Sequence, residues 1–218
     1  MLGSVAKLAA ARDVVRWRGP DDAWLDHAVL DDADLGWMAP ARRLTLWAVM
    51  VPDGWLARLP RLEWLDVRGG SRESADCVRG CDGLLYLCLN QIRGLTDLSA
   101  VAEVRSLELL SLYGLPRVHD LPDLRNLTRL ARIELGSMKG LSSIAPALAA
   151  PALEELQLQN RVELAPDDPE LIRTHPTLSA FGWFAEDVPL KVWQPVVAHV
   201  GKPQVRSLHP QEWFAGRS

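Results

Sequence analysis

The chain has 218 residues, 48% of them hydrophobic, which is enough to bury a sizeable core and sits within the length range of one domain, with no room for a separate catalytic unit. Its 28 acidic residues outnumber 24 lysines and arginines, giving a formal charge of −4, so no global positive field draws it to nucleic acid or to an anionic membrane.

The first residues, MLGSVAKLAAARDVVRW, form an apolar stretch too short and too soon charged for a membrane span or a secretion signal, which predicts a cytosolic protein. Residues 1–40 hold Trp17, Trp24 and Trp37 among Asp21, Asp22, Asp26, Asp31, Asp32 and Asp34. This segment reads as an N-terminal cap, with DDAWLDHAVLDDADLGW as an amphipathic helix that turns Trp24, Leu25, Ala28 and Leu35 inward. Asp32-x-Asp34-x-Gly36 has the spacing of a calcium loop, but Arg43 stands where the closing glutamate belongs, so a solvated acidic face is the reading taken.

A repeat governs residues 41–186. The segments ARRLTLWAV, LEWLDVRGG, LLYLCLNQI, LELLSLYGL, LARIELGSM, LEELQLQNR and LSAFGWFAE share the slots apolar-x-x-apolar-x-apolar. Their last apolar residues, Leu46, Val67, Leu89, Leu112, Leu135, Leu158 and Trp183, lie 21, 22, 23, 23, 23 and 25 residues apart, the spacing of a solenoid coil. Alternation inside each segment, as in Leu87-x-Leu89, predicts a short strand with one buried face. Between strands the apolar spacing becomes three, from Leu115 through Val118, Leu121, Leu124 and Leu127 to Leu130, which suits 3₁₀ turns because residues three apart eclipse there. A single coil cannot bury its own apolar side, so stability has to come from stacking.

These segments resemble a leucine-rich repeat protein, and the resemblance implies an α/β fold: a curved solenoid with a parallel concave sheet of about seven strands, short 3₁₀ or irregular convex segments and a cap at each end. It also implies a concave face that binds a ligand. The three-residue spacing is most similar to the short-repeat class that includes regulatory subunits of protein phosphatases, a likeness of coil geometry. One departure stands out: where the family carries asparagine to satisfy the loop backbone, this chain has Val49, Gly70, Ile92, Leu115, Met138 and Arg161.

Cys77, Cys81 and Cys88 are an odd number, which argues against a disulfide framework, and Cys81 falls in a core slot while Cys88 points outward, so a shared metal is not expected. No glycine-rich phosphate loop, nucleophile elbow or metal-spaced histidine pair is present, so no catalytic residue, cofactor or metal is assigned. His175, three residues before Leu178, reads as a packed histidine with a hydrogen-bond partner. In residues 187–218, Pro189, Pro195, Pro203 and Pro210 argue against a long uninterrupted helix, while Trp193, Val196, Val197, Val200 and Trp213 offer apolar cover; the segment reads as a C-terminal cap, with a recognition tail as the alternative.

Function then falls to the outward strand positions, where neighbouring coils bring equivalent residues to roughly 4.8 Å spacing. Trp47, Trp64, Asp66, Arg68, Tyr86, Asn90, Leu109 and Tyr113 form a mixed aromatic and polar patch on positions the core does not use, a composition enriched at interface centres. The competing reading is cross-strand packing alone, with Arg68 paired to Asp66 or lying over Trp47, and Arg132 within reach of Glu134 and Glu155. The sequence thus predicts a monomeric, cytosolic, non-enzymatic module that binds another protein through its concave face, as adaptor, inhibitor or regulatory subunit. A peptide or small molecule held near Trp64 and Tyr86, or an enzyme with an unrecognised site, is the alternative.

Overall fold

A computed structural model describes residues 8–217. In chain order the elements are β1 (Ala9–Ala10), α1 (Ala11–Val14), β2 (Arg16–Trp17), β3 (Asp22–Asp26), β4 (Ala28–Val29), α2 (Leu35–Met38), β5 (Arg43–Trp47), β6 (Trp64–Arg68), β7 (Tyr86–Asn90) and β8 (Leu109–Tyr113). They continue with β9 (Arg132–Met138), α3 (Ala145–Leu148), β10 (Glu155–Val162), α4 (Asp168–Thr174), β11 (Ala180–Phe184), α5 (Leu190–Val200) and α6 (Pro210–Ala215). The start of the N-terminal apolar stretch, residues 1–7, lies outside the described residues.

Nine strands form one sheet in the order β11-β10-β9-β8-β7-β6-β5-β3-β2, parallel throughout except for β2 against β3. Strands β5 to β11 are the seven that the repeat predicts, and they pair in the register of the stacked segments. Arg43, Trp64, Tyr86, Leu109, Arg132, Glu155 and Ala180 sit side by side. Leu44, Leu46, Leu65, Val67, Leu87, Leu89, Leu110 and Leu112 point to the other side and are buried. The chain is an α/β solenoid whose coils share one continuous core.

The amphipathic helix expected before residue 41 does not form. Asp22–Asp26 is a strand, with Ala23 beside Leu44 and Leu25 beside Leu46, so the repeat begins one coil earlier. Ala23, Leu25, Ala28 and Leu30 are all buried, whereas Trp24 lies half-buried on the outward side with the Arg16 guanidinium 4.8 Å from its ring. The acidic residues have local work. Asp31 accepts from the Ala33 amide, Asp34 accepts from the Asp31 amide and the Trp37 indole, and Asp32 pairs with Arg58 at 2.6 Å.

The absent asparagine ladder has a replacement. His27, Ala48, Gly69, Gln91, Gly114, Ser137 and Asn160, each one residue past the last outward position of its strand, take φ between 50° and 65°. Left-handed backbone costs a non-glycine residue on the order of 1 kcal/mol. It keeps the amides in line with the sheet: Ala48 donates to the Arg68 carbonyl at 2.7 Å, and Gly69, Gln91 and Gly114 donate to Asn90, Tyr113 and Gly136 at 2.8 Å. With the turn satisfied by backbone, the following slot is free for core residues, and Val49, Ile92, Leu115 and Met138 are buried there. Gly70 is half-buried, and Arg161 is exposed. A bulge between Gln159 and Val162 moves Val162 beside Met138 and leaves Arg161 exposed.

The return path carries 3₁₀ turns at Leu56–Arg58, Asp76–Val78 and Ser99–Glu103, and Leu115, Val118, Leu121, Leu124, Leu127 and Leu130 are all buried, as a three-residue period requires. Toward the C-terminus it becomes helical. There the fully buried Asp168 carboxylate ties two coils together by accepting from the Ser143 hydroxyl and the Ile144 and Ala165 amides. His175 is half-buried; its Nδ1 accepts from the Leu178 amide, which leaves Nε2–H to donate to the Leu148 carbonyl at 2.8 Å.

Residues 187–217 split into two parts. No long uninterrupted helix forms: α5 is an eleven-residue helix that accommodates Pro195, whose missing N–H falls at an exposed position and removes one helical bond. Trp193, Val196, Val197 and Val200 of α5 pack on the main core. Gly201, at φ 61°, then ends the helix with its amide on the Val197 carbonyl. From there the chain turns back across the outward face of the sheet.

Candidate binding face

The outward face is divided between an open part and a part covered by the chain's own C-terminus. The Phe181 amide donates to the Pro203 carbonyl at 2.9 Å, and the Val205 amide donates back to the Phe181 carbonyl at 3.3 Å, so the returning segment runs along β11. A Cβ at Gly182 would lie 2.6 Å from Val205 Cγ1, so this crossing needs glycine. Helix α6 follows, its first turn held by the Glu212 carboxylate accepting from the His209 amide at 2.8 Å.

Helix α6 lands on the first outward row. Trp213, 3% exposed, packs in a cluster with Tyr86, Cys88, Leu109 and Ala131, and Trp64, Leu208 and Phe214 pack around its margin. The Trp64 ring is 4.1 Å from Tyr86 and 5.6 Å from Phe214, with the Arg43 guanidinium 5.2 Å from it. Arg217 lies 4.7 Å over the Trp213 ring and pairs with Glu154 at 2.5 Å. Leu109 and Tyr86, read from sequence as exposed binding positions, are therefore buried, and Trp64 is half-buried. Apolar outward side chains with no partner in the sheet recruit one from elsewhere in the chain.

Beneath the crossing segment lies the most polar buried point of the face. Arg132 is fully buried; its guanidinium donates to Glu134 at 2.9 Å, to Glu155 at 2.6 Å, to Gln157 at 2.8 Å and to the Arg206 carbonyl at 3.3 and 3.4 Å. The pairing of Arg132 with Glu134 and Glu155 follows from the register. The Gln157 and Arg206 bonds do not, because they depend on side-chain reach and on the returning chain.

The rest of the predicted set borders the open part. Arg68, Asn90 and Tyr113, with Ser111, Glu134, Gln157 and Gln159, line a groove of about 340 Å³ whose far wall is Ser207 to Pro210. Asp66 is buried and holds Arg68 at 2.7 to 2.9 Å through both oxygens; this hydrogen bond raises the Arg68 pKa. Tyr113 lies flat across Gly136, where a Cβ would come within 2.3 Å of its ring, and its hydroxyl accepts from the Asn160 amide group at 2.8 Å. Trp47, 41% exposed, sits apart, in a hollow with Ala48, Met50, Gly69 and Gly70.

The groove holds no activated nucleophile. Burial first, and the Asp66 charge after it, push the Cys88 thiol well above the ordinary thiol range, against a smaller lowering by the Tyr86 hydrogen bond; burial likewise raises Tyr86. His209 lines the same groove, but a protonated, 4% exposed thiol offers it no thiolate to stabilise. Cys77 and Cys81 are buried on the core side, where desolvation raises both, Cys81 to about 12. Among the described residues no group of three or more metal-ligating side chains converges, and no helix is long and apolar enough to cross a membrane.

No protein-family model and no curated protein matches the chain. Among solved structures it is similar to an internalin C2 from Listeria monocytogenes, at 20% identity over 73% of this chain and 80% of that one, with a TM-score of 0.46. It is also similar to an internalin (inlF) from Listeria monocytogenes, at 18% identity over 86% of this chain and 67% of that one, with a TM-score of 0.37. The solenoid architecture stands on the strand register itself.

Proposed function

We propose that the chain is a non-enzymatic, monomeric protein-binding module, an adaptor, inhibitor or regulatory subunit, whose partner meets the open part of the concave face. The supporting observation is the half-exposed band of Arg68, Asn90 and Tyr113, held in fixed geometry on strands whose core duties are met by the opposite side chains. Rigid aromatic and guanidinium groups fixed in this way meet a partner with little ordering cost. Three free thiols fit a reducing, cytosolic compartment. A second reading, a peptide or small polar molecule in the groove, draws on the groove's volume of about 340 Å³, which falls in the range of ligand pockets.

Affinity capture from cell extract, followed by titration of the captured protein against variants, separates these readings. Arg68→Ala with Tyr113→Ala should weaken association by about 2 kcal/mol or more with the melting curve showing a folded chain, while Leu171→Ala on the exposed side of α4 should leave it unchanged. Unaltered affinity in the folded double variant would overturn the assignment.

A further inference from the structure

Helix α6 and the segment leading to it make an unusual contact for a structural element. Their cluster with Tyr86, Cys88, Leu109 and Ala131 is separate from the continuous core of the solenoid, so the coils are already complete beneath it. Beyond Val205 no backbone amide of the segment donates to the sheet among the described residues. Apart from the Arg206 carbonyl, which accepts from Arg132, the hold comes from side chains: Trp213 and Phe214 on the aromatic row, Leu208 beside them, and Arg217 on Glu154. A six-residue helix has too few internal bonds to persist alone, so α6 is folded because it is docked. Undocking α6 would cost the main core no contact and would uncover Trp64, Tyr86 and Leu109 as an apolar patch, with Glu154 left without Arg217. Such a patch demands a new occupant.

We infer that residues 207–217, hinged where Pro203 and Val205 bond to Phe181, are a displaceable internal ligand of the concave face, and that the partner replacing them presents an amphipathic helix with two adjacent aromatic side chains followed by a cation. This rests on the protein-binding reading and names the partner's chemistry. The occupant in place defines the requirement: one ring seated over Leu109 and Ala131, a second against Trp64, and a positive charge one turn further on for the carboxylate of Glu154. While the segment is docked, the apparent affinity for an outside helix is reduced by the small fraction of molecules in which it is undocked. Binding therefore has a built-in threshold, and the cation requirement adds selectivity because a helix without the cation would leave Glu154 without its partner.

A labelled peptide of residues 203–217, PQVRSLHPQEWFAGR, is the probe, titrated against the full chain and against the full chain carrying Trp213→Ala and Phe214→Ala. The double variant should bind the peptide at least about tenfold more tightly than the unaltered chain, and a peptide with both aromatics replaced by alanine should bind neither. Equal affinity in the two chains, or indifference to the aromatic pair, would overturn the inference. Hydrogen exchange on the unaltered chain gives a second reading that needs no substitution. The amides of Trp213, Gly216 and Arg217 should exchange at least about a hundredfold faster than those of Leu110 and Leu112, and faster still with excess peptide. Equal protection would mean that α6 leaves only on global unfolding, and would sink the idea. Dimers that grow with concentration and dissolve with peptide would assign the place to a second copy's tail and overturn an outside partner. If peptide exchange fails while a captured partner still depends on Arg68 and Tyr113, only this inference falls; if exchange succeeds and that dependence is absent, only the earlier reading falls.

Discussion

Arg132→Met probes the junction between sheet and returning segment. The substitution keeps most of the side-chain stem and removes a guanidinium that is fully buried and donates to Glu134, Glu155, Gln157 and the Arg206 carbonyl. Glu134 and Gln157 are themselves only 8% and 3% exposed, so their oxygens would be left in a poorly hydrated site. The Glu155 side chain is 26% exposed and can recover water, so it contributes less. Breaking a buried pair by deleting one member costs about 3 to 5 kcal/mol, and the partial exposure of Glu155 places the expected loss near the lower end, about 3 kcal/mol. Adding Glu134→Gln to Arg132→Met should recover at least about 1 kcal/mol, because the stranded charge is then gone. Urea denaturation followed by far-ultraviolet circular dichroism reads both, compared at constant m value. A loss below about 1 kcal/mol for Arg132→Met, or no recovery in the double variant, would refute the reasoning.

Leu112→Ala, at a position 1% exposed between two stacked coils, should cost about 2 to 5 kcal/mol in the same assay, since neighbouring coils cannot close into the hole. Glu170 should set part of the acid limb of stability. Hydrogen bonds from Arg173 first and His199 second hold its carboxyl down at about 2, below the ordinary value of 4.5, so its contribution is complete above that value and is lost as pH falls toward 2. Because the His199 bond links α5 to α4, melting curves between those limits should fall more steeply for the unaltered chain than for Glu170→Gln; parallel curves would contradict the linkage.

Strands β5 to β11 and their register were legible because buried leucines recur at every second position within a strand and at a near-constant distance between strands. The same period carried one step back from Leu46 lands on Leu25, 21 residues earlier, with Ala23 two places before it. That signal for β3 is weak because alanine fills slots that leucine fills elsewhere, and because the interleaved tryptophans and aspartates also fit a helix. The left-handed ladder has no residue signature at all. His27, Ala48, Gln91, Ser137 and Asn160 share only a backbone shape, imposed by the sheet's hydrogen bonds after the coil has stacked.

The outward face was half legible. Outward positions were correctly placed, yet which of them stay open depends on a segment some hundred residues away along the chain that returns to cover Tyr86 and Leu109. Periodicity carries no information on such a docking. A clue lay in the outward rows themselves: Gly182 leaves space that Val205 takes, and the adjacent Trp213 and Phe214 are a large apolar investment in an otherwise polar tail. Arg68, Asn90 and Tyr113 remain at the groove because the returning segment forms its far wall without covering them.

The division of the concave face into a self-occupied row and an open groove is tested most directly by nuclear Overhauser contacts in the full chain. Contacts are expected between the Trp213 indole and the methyl groups of Leu109 and Ala131, and none from Trp213 to Tyr113. Absence of the Leu109 and Ala131 contacts in a chain whose Leu110 and Leu112 amides are protected would contradict it.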